Sequence, residues 1–352
     1  MLNIGFRVDA SNKLGMGHLM ESISLAESLK RREKCNIFFL TKNFPPAIDI
    51  LKTRGFNVEI LNGNSEENEI KKISQTVKTR QVEVLVVDLL DKNDKYFLKL
   101  KHHVKVLIVI LDDDKHRSVT GDMVVNFNIA QDKGFYAKLP VSKTIYCIGP
   151  EFMLVPEELH SEWKKEKVIP ATCRTILVNQ GGSDPFGLTA KIVKALELLD
   201  LKQKIIVVIG HAVSNKHKKE LEHLKLRLKN DYQFGWNVTR ERFYQFMSEC
   251  DLAITAAGNT LYELALFGAP SIVVCHHEKH DLVARKFAEK NAVINLGIGT
   301  TLETSTIAEA VDKLLRSRKK RLELSLNTKK IVDGLGSKRI AEKVLETCRK
   351  SL

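Results

Sequence analysis

Three short stretches of this chain set chemically active residues beside glycines that let a ligand approach the backbone. The first runs from Asp9 through Gly15 and Gly17 to His18. It follows an apolar run at 2–8 and opens an amphipathic run at 18–32, so it reads as the turn from a strand into a helix. Glycine allows the tight bend and the close approach. A histidine at a helix N-terminus meets the positive end of the helix dipole, which disfavours imidazolium. The neutral ring is then a competent general base. The plainer alternative is a histidine that only caps the helix.

The second stretch is Asn179-Gln180-Gly181-Gly182-Ser183-Asp184-Pro185. The N–H groups of Gly181 and Gly182 can cradle an anion, Ser183 or Asp184 can cap, and Pro185 suits a first helical turn. It is neither the dinucleotide fingerprint nor a Walker loop, because no Gly-Lys-Ser/Thr follows. A plain, well-capped turn is the competing reading. The third stretch carries most weight. A strand at 251–255 leads through Ala256-Ala257-Gly258-Asn259-Thr260 into a helix bearing Glu263 and stopped by Gly268-Ala269-Pro270. Gly258 can bring backbone N–H groups to a diphosphate, and Thr260 can add a hydroxyl. Glu263, about one turn in, can accept from both hydroxyls of a ribose; the alternative is a solvent-facing glutamate. The loop from Cys275 to His280 adds His276, His277 and His280 at the same rim. With Cys275 and Glu278 these could ligate a metal, but phosphate or sugar contact is the preferred reading.

Elements must hold these stretches in place. Apolar runs at 2–8, 36–40, 57–60, 84–88, 106–111, 123–126 and 144–148 alternate with helical patterns at 18–32 and 68–79. A second series at 175–179, 204–209, 232–234, 252–255, 271–274 and 292–295 alternates with helical patterns at 188–199, 215–228, 240–250, 260–267, 281–290, 307–316 and 337–350. Continuous Val/Ile/Leu blocks such as 84–87 and 205–209 predict strands buried on both faces of parallel sheets. The expected architecture is α/β: two Rossmann-like, doubly wound parallel-sheet domains facing an interdomain cleft, with ligands at the carboxyl ends of the strands. The charged stretch 150–172, bracketed by Pro156 and Pro170, is the expected break. It gives an N-terminal domain at 1–160, a second at 171–335, and a C-terminal helix at 336–352 that can pack back on the first.

Length and composition agree. The chain has 352 residues, 43% hydrophobic and 28% charged, which suits two folded domains and excludes a fibre or a disordered tail. A formal net charge of +13 favours acidic partners. The basic runs at 30–34, 164–167, 216–219 and 316–321 nevertheless read as solvated helix faces. No aromatic-interleaved basic patch is present, so nucleic acid is not an expected partner. The 6 cysteines form no CxxC pair, which removes zinc-ribbon and redox motifs. The chain begins with no signal-peptide pattern and holds no apolar run near 20 residues, so a cytoplasmic enzyme without stable membrane insertion is expected.

Taken together, these stretches resemble the two-domain sugar-nucleotide family of the GT-B fold. Within it they resemble the UDP-sugar hydrolases of pseudaminic acid biosynthesis and their spore-coat polysaccharide relatives. The matching residues are Phe6-Arg7-Val8-Asp9 through Gly15-Met16-Gly17-His18, Leu111-Asp112-Asp113, Gly181-Gly182-Ser183-Asp184 and Ala257-Gly258-Asn259-Thr260 with Glu263. The last block is shared with MurG-type glycosyltransferases; the N-terminal Gly-x-Gly-His block narrows the choice to hydrolysis. The resemblance implies removal of UDP from UDP-2,4-diacetamido-2,4,6-trideoxy-β-L-altropyranose. His18 would be the general base activating water at C1, with Arg7, Asp9, Gly15, Gly17 and Asp88 beside the substrate. Gly181, Gly182, Ser183, Asp184, Gly258, Asn259 and Thr260 would contact it from the other half, Glu263 would bind ribose, and Asn237 and Val238 would read uracil. It implies no cofactor and no metal, because helix N-termini and basic residues can stabilise the departing diphosphate.

The chain departs from the family pattern at three places. Leu90 follows Asp88-Leu89 where the family carries Tyr, the segment at Val155-Pro156-Glu157 lacks a family Arg, and His280 aligns with a family Gln. Two other functions remain open at this point: a glycosyltransferase using the same UDP half, and a catalytically silent nucleotide-sugar-binding protein.

Overall fold

A computed structural model describes residues 1–11, 14–63, 65–90, 92–112, 120–138 and 144–351. The chain divides into two compact units, Met1–Glu158 with Gly334–Leu352, and Leu159–Asp333. Unit 1 runs β1 (Leu2–Val8), α1 (Gly17–Arg32), β2 (Cys35–Thr41), α2 (Pro45–Thr53), β3 (Asn57–Ile60), α3 (Glu66–Thr79), β4 (Val84–Asp88), α4 (Asp94–His103), β5 (Leu107–Leu111), β6 (Met123–Asn126), α5 (Lys133–Ala137) and β7 (Ile145–Ile148). Its strands form one parallel sheet in the order β3-β2-β1-β4-β5-β6-β7. Strand β4 reads Val-Leu-Val-Val-Asp and is buried at every position, as a strand covered by helices on both faces must be.

Unit 2 runs α6 (Leu159–Lys164), β8 (Thr175–Asn179), α7 (Leu188–Leu196), β9 (Lys204–Ile209), α8 (Asn215–Lys225), β10 (Tyr232–Trp236), α9 (Arg240–Glu249), β11 (Leu252–Thr255), α10 (Asn259–Leu266), β12 (Ser271–Cys275), α11 (Glu278–Glu289), β13 (Ile294–Ile298), α12 (Thr304–Arg316) and α13 (Arg318–Thr328). Its parallel sheet has the order β10-β9-β8-β11-β12-β13. In each sheet the strand order reverses beside the first strand, between β1 and β4 and between β8 and β11. Loops leaving such a pair diverge and open a crevice at the strands' carboxyl ends. The registers Val8↔Asp88↔Leu111 and Asn179↔Thr255↔Val273 put all three glycine-bearing turns at such an edge.

The last helix, α14 (Gly336–Ser351), returns to unit 1. Its apolar stripe Ile340, Ala341, Val344, Leu345 and Cys348 shares one core with Leu19, Ile23 and Ala26 of α1. A Cβ on Gly336 would lie 2.1 Å from the Met153 carbonyl oxygen, so only glycine lets the helix start there. Ser337 fixes the same junction by donating to the Val155 carbonyl at 2.7 Å. Among the described residues no helix is long and apolar enough to cross a membrane.

The structure corrects several expectations. The stretch expected to be a break contains the unit boundary at 158/159, but α6 within it is tied to unit 2 by Trp163 Nε1 donating to the Lys329 carbonyl at 2.9 Å. The strand expected at 292–295 is displaced to Ile294–Ile298, because Asn291, at φ 52°, and Ala292 still close the end of α11 through bonds to Ala288 and Phe287. Helices α2, α4, α5, α6 and α13 were not among the expected helical runs. The basic run at 316–321 is not wholly solvated. Arg321 is fully buried and donates to the carbonyls of Leu314, Leu315, Pro170 and Ala171. Its planar fork satisfies the open C-terminus of α12 and the strand-side loop together.

Candidate functional site

In unit 1 the turn after β1 is closed on itself. Gly15 donates its N–H to the Ser11 carbonyl at 2.8 Å and Leu14 to Ser11 Oγ at 3.1 Å. Gly15 sits at φ +77°, a left-handed conformation that other residues adopt at a cost. Asn12, Lys13 and, after β5, Asp113 lie outside the described residues. Gly17 opens α1 and His18 follows it. The ring's Nδ1 lies 2.8 Å from Asp88 Oδ1, and Ser22, one turn further along α1, donates to Asp88 Oδ2 at 3.2 Å. Asp88 ends β4, with its side chain 2% exposed against 17% for His18. A strand-borne carboxylate therefore fixes the ring. The tautomer that donates from Nδ1 carries its lone pair on Nε2.

His18 lines a hollow of about 300 Å³ together with Asp9, Lys42, Leu14, Phe44 and Leu90. Asp9 guards its lip but is fully engaged. Arg7 donates to both its oxygens at 2.6 and 2.7 Å, and the Lys42 backbone N–H adds a bond at 2.8 Å. Arg7 is wholly buried, and its Nε donates to Glu69, which also accepts from Tyr96 Oη at 2.8 Å. The guanidinium is thus sealed beneath Asp9, so Arg7 fixes Asp9 instead of touching a ligand. Burial opposes charge on Asp9, but Arg7 more than offsets it and holds the carboxyl below its ordinary value. His18, Glu21 and Asp88 bring potential metal-ligand atoms within 4.8 Å of one another. His18 and Asp88 already share a hydrogen bond, the arrangement of a carboxylate-oriented imidazole.

In unit 2 the turn after β8 is built by Asn179, which donates to the Val208 carbonyl and accepts from the Gly181 N–H, both at 2.9 Å. Gly181 takes φ +76°, and Gly182 is exposed with Ser183 beside it. Sequence reasoning missed Gly210. A Cβ there would lie 2.3 Å from the Gly182 carbonyl oxygen, and Ala212 donates to that same oxygen at 2.9 Å. Asp184 is buried, and its carboxylate takes the N–H groups of Leu188 and Thr189 at 2.8 and 2.9 Å. It caps α7 rather than reaching a ligand. Pro185 precedes the helix, whose first turn begins at Leu188.

Gly258 caps α10, with no atom within 4 Å of where a Cβ would stand. Asn259 and Thr260 open that helix, and the N-terminal turn of a helix suits an anion. Glu263 is not a bare surface carboxylate. Its Oε1 accepts from Arg240 Nη2 at 3.2 Å and Tyr244 Oη at 3.1 Å, and Arg240 also bonds Tyr244. Burial works against the Arg240 charge, but Glu263 and Tyr244 outweigh it and raise its value. Arg240 and Tyr244, four apart on α9, were not anticipated; that spacing just after Asn237-Val238 was the available signal. Asn237 is exposed at φ 53°. A Cβ on Gly235 would come 2.8 Å from Val238 Cγ1, so that glycine makes room for the valine.

The histidine rim is shorter than a loop, since α11 begins at Glu278 and His280 lies in its first turn. Ring centroids are 4.1 Å apart for His277 and His280 and 5.2 Å for His276 and His280. The Cys275 thiol, turned to Asn295 at 3.7 Å, is pushed up to about 12 by burial, which makes it a poor source of the thiolate a metal would need.

Residues 175–343 match the glycosyltransferase family 28 C-terminal domain. The spore coat polysaccharide biosynthesis protein SpsG of Bacillus subtilis (strain 168) is 27% identical over 342 residues, 96% of each chain. The UDP-2,4-diacetamido-2,4,6-trideoxy-beta-L-altropyranose hydrolase of Campylobacter jejuni is 22% identical over 292 residues, 82% of this chain and 97% of that one. Among solved structures, MurG of Acinetobacter baumannii superposes with a TM-score of 0.68 at 13% identity, covering 98% of this chain and 99% of its own. The two-sheet architecture is therefore that of the GT-B fold.

Proposed function

We propose that this chain, which belongs to the GT-B sugar-nucleotide family, hydrolyses a UDP-linked deoxyamino sugar at C1 and releases UDP. The setting would be biosynthesis of a pseudaminic-type nonulosonic acid or a surface polysaccharide. The observation that carries the reading is the His18–Asp88 pair, joined at 2.8 Å, on a hollow of about 300 Å³.

In this reading His18 Nε2 takes the proton of a water as the water oxygen bonds to C1. The C1–O bond to the diphosphate breaks, its electron pair leaves on the β-phosphate oxygen, and the anomeric centre inverts. Asp88 stabilises the imidazolium that forms. Unit 2 holds the nucleotide: the N–H groups at Gly181, Gly182 and Gly258 receive phosphoryl oxygens, Glu263 the ribose, and Asn237 and Val238 the base. Ser183, Asn259 and Thr260 line those turns. The likeness to the Campylobacter hydrolase supports UDP and the deoxyamino sugar.

A second reading, transfer of the sugar to an acceptor hydroxyl, is favoured by the match of 175–343 to a glycosyltransferase domain. Incubation with UDP-2,4-diacetamido-2,4,6-trideoxy-β-L-altropyranose without any acceptor separates the two. Free sugar together with UDP is expected; turnover only when an acceptor is added overturns hydrolysis. A thermal-shift comparison of UDP with CMP, GDP and ADP should give the largest stabilisation with UDP, through binding linkage.

A further inference from the structure

Helices α9 and α10 meet over one carboxylate. Glu263, about one turn into α10, accepts from Arg240 Nη2 at 3.2 Å and from Tyr244 Oη at 3.1 Å, and both bonds arrive at the same oxygen, Oε1. Arg240 also donates from Nε to Tyr244 Oη, and its guanidinium stands 5.2 Å from the centroid of the Tyr244 ring. That ring packs on Phe267, just past the end of α10, with centroids 5.7 Å apart. Each member of the triangle is thus held by the other two and by the contact of the helices. A carboxylate oxygen has room for about two donors, so Oε1 is filled. Among the described residues no donor is bonded to Oε2, and the Glu263 side chain keeps 12% of its surface open.

We propose that Arg240 and Tyr244 are positioning residues: by pinning Oε1 they present Oε2 to the vicinal hydroxyls of a ribose, so that the site selects ribonucleotides over nucleotides whose sugar lacks those hydroxyls. The inference rests on the reading of Glu263 as the ribose contact and adds to it the two residues that act through it.

A glutamate on an open helix face samples several rotamers, and a ligand that binds it must freeze them. Here the fold has already frozen them, and a preorganised acceptor binds at lower cost. The Arg240 charge is the counter-charge that a largely buried carboxylate needs. Burial, then Glu263, raises Tyr244 against the influence of Arg240, so its hydroxyl keeps its proton and remains a donor. Thr239 caps α9 by accepting from the Arg242 N–H at 3.3 Å, which makes Arg240 the first residue of the helix. Asn237 and Val238 stand directly before that cap. The segment proposed to read the base and the clamp on the ribose contact therefore share one helix start.

Isothermal titration of the full chain with UDP and with 2′,3′-dideoxy-UDP tests this. The parent should bind UDP at least about tenfold tighter, because the dideoxy ligand lacks the hydroxyls that donate to a charged acceptor. Tyr244→Phe and Arg240→Met should each weaken UDP about tenfold and move the dideoxy ligand less than about twofold, so that the preference collapses. A role confined to packing would weaken both ligands alike. Glu263→Ala should abolish the preference, and adding Arg240→Met to it should cost nothing more, since Arg240 acts through Glu263. Binding of the dideoxy ligand also reports that each variant is folded. The inference is overturned if either single variant keeps the parental preference, if both ligands weaken in step, or if Arg240→Met costs as much in the Glu263→Ala background as in the parent. A parent that binds the two ligands equally overturns it while leaving UDP binding in place. A parent that binds neither removes the underlying UDP reading as well.

Discussion

His18 and Asp88 divide one task between a helix and a strand. In the proposed mechanism the helix carries the base; the strand, held between β1 and β5, fixes the direction it faces. Replacing Asp88 by Asn keeps the shape but lets the ring take the wrong tautomer. Asp88→Asn should cut kcat roughly 10²–10⁴-fold with little change in KM. His18→Ala should cost about as much, and the double variant little more, because the two act as a unit. Initial rates of UDP release check this; a parental rate in Asp88→Asn would remove Asp88 from the mechanism. Arg7 and Asp9 illustrate a different residue-scale effect. Asp9 is ionised in the fold at a pH where the unfolded chain would protonate it, because Arg7 outweighs the cost of its burial. A depressed carboxyl value contributes stability that is whole above the unfolded value near 3.9 and is lost as pH falls through the folded value. Asp9→Asn leaves Arg7 buried without its main counter-charge and should cost about 3–5 kcal/mol near neutrality. The deficit should shrink in urea unfolding as pH drops from 5 to 3. A deficit independent of pH would show that the ion pair is not its source.

At the scale of elements, the turns are shaped by neighbours far away in sequence. Gly210 follows β9, yet its missing side chain is what lets the Gly182 carbonyl pass. Gly210→Ala should push the Gly181–Gly182 turn out of place, weakening UDP binding and costing about 1–3 kcal/mol of stability. Titration calorimetry beside thermal unfolding measures both; unchanged UDP affinity would show that this turn does not bind phosphate. The same dependence explains what could be read from the chain and what could not. The strands were legible because Val84–Asp88 and Lys204–Ile209 are apolar blocks, and the turns because glycine, histidine and glutamate stand where a strand gives way to a helix. Gly210 was not, since its reason is a carbonyl some 30 residues away in sequence. Arg240 and Tyr244 escaped notice because each suits an exposed helix, and only the fold shows Glu263 between them. Arg321 was misread because a run of cations normally seeks water; here four carbonyls replace the water. Helices α2 and α4 hide behind their brevity, although Pro45-Pro46 and the Asn93 cap mark their starts.

At the scale of the whole molecule, the chain crosses between its units twice, after Glu158 and after Asp333, so the final helix stabilises the first unit and not its sequence neighbours. The α14 stripe completes the core under α1, the helix that carries His18. Removing buried methyl groups there should loosen the site of unit 1 while sparing unit 2. Ile340 and Val344 are both fully buried, and truncating either to alanine should cost about 2–5 kcal/mol for isoleucine and somewhat less for valine. Native-state hydrogen exchange gives the spatial reading. In Ile340→Ala, amides of α1, β1 and β4 should exchange faster, while those of β8, β11 and β12 keep their parental protection. Catalytic turnover should fall with the loosening of α1, yet UDP should bind as tightly as before, because none of the residues proposed to hold the nucleotide belongs to unit 1. Faster exchange spread evenly over both sheets would instead mean that the two units unfold as one cooperative body, and α14 would then be a support of the entire chain.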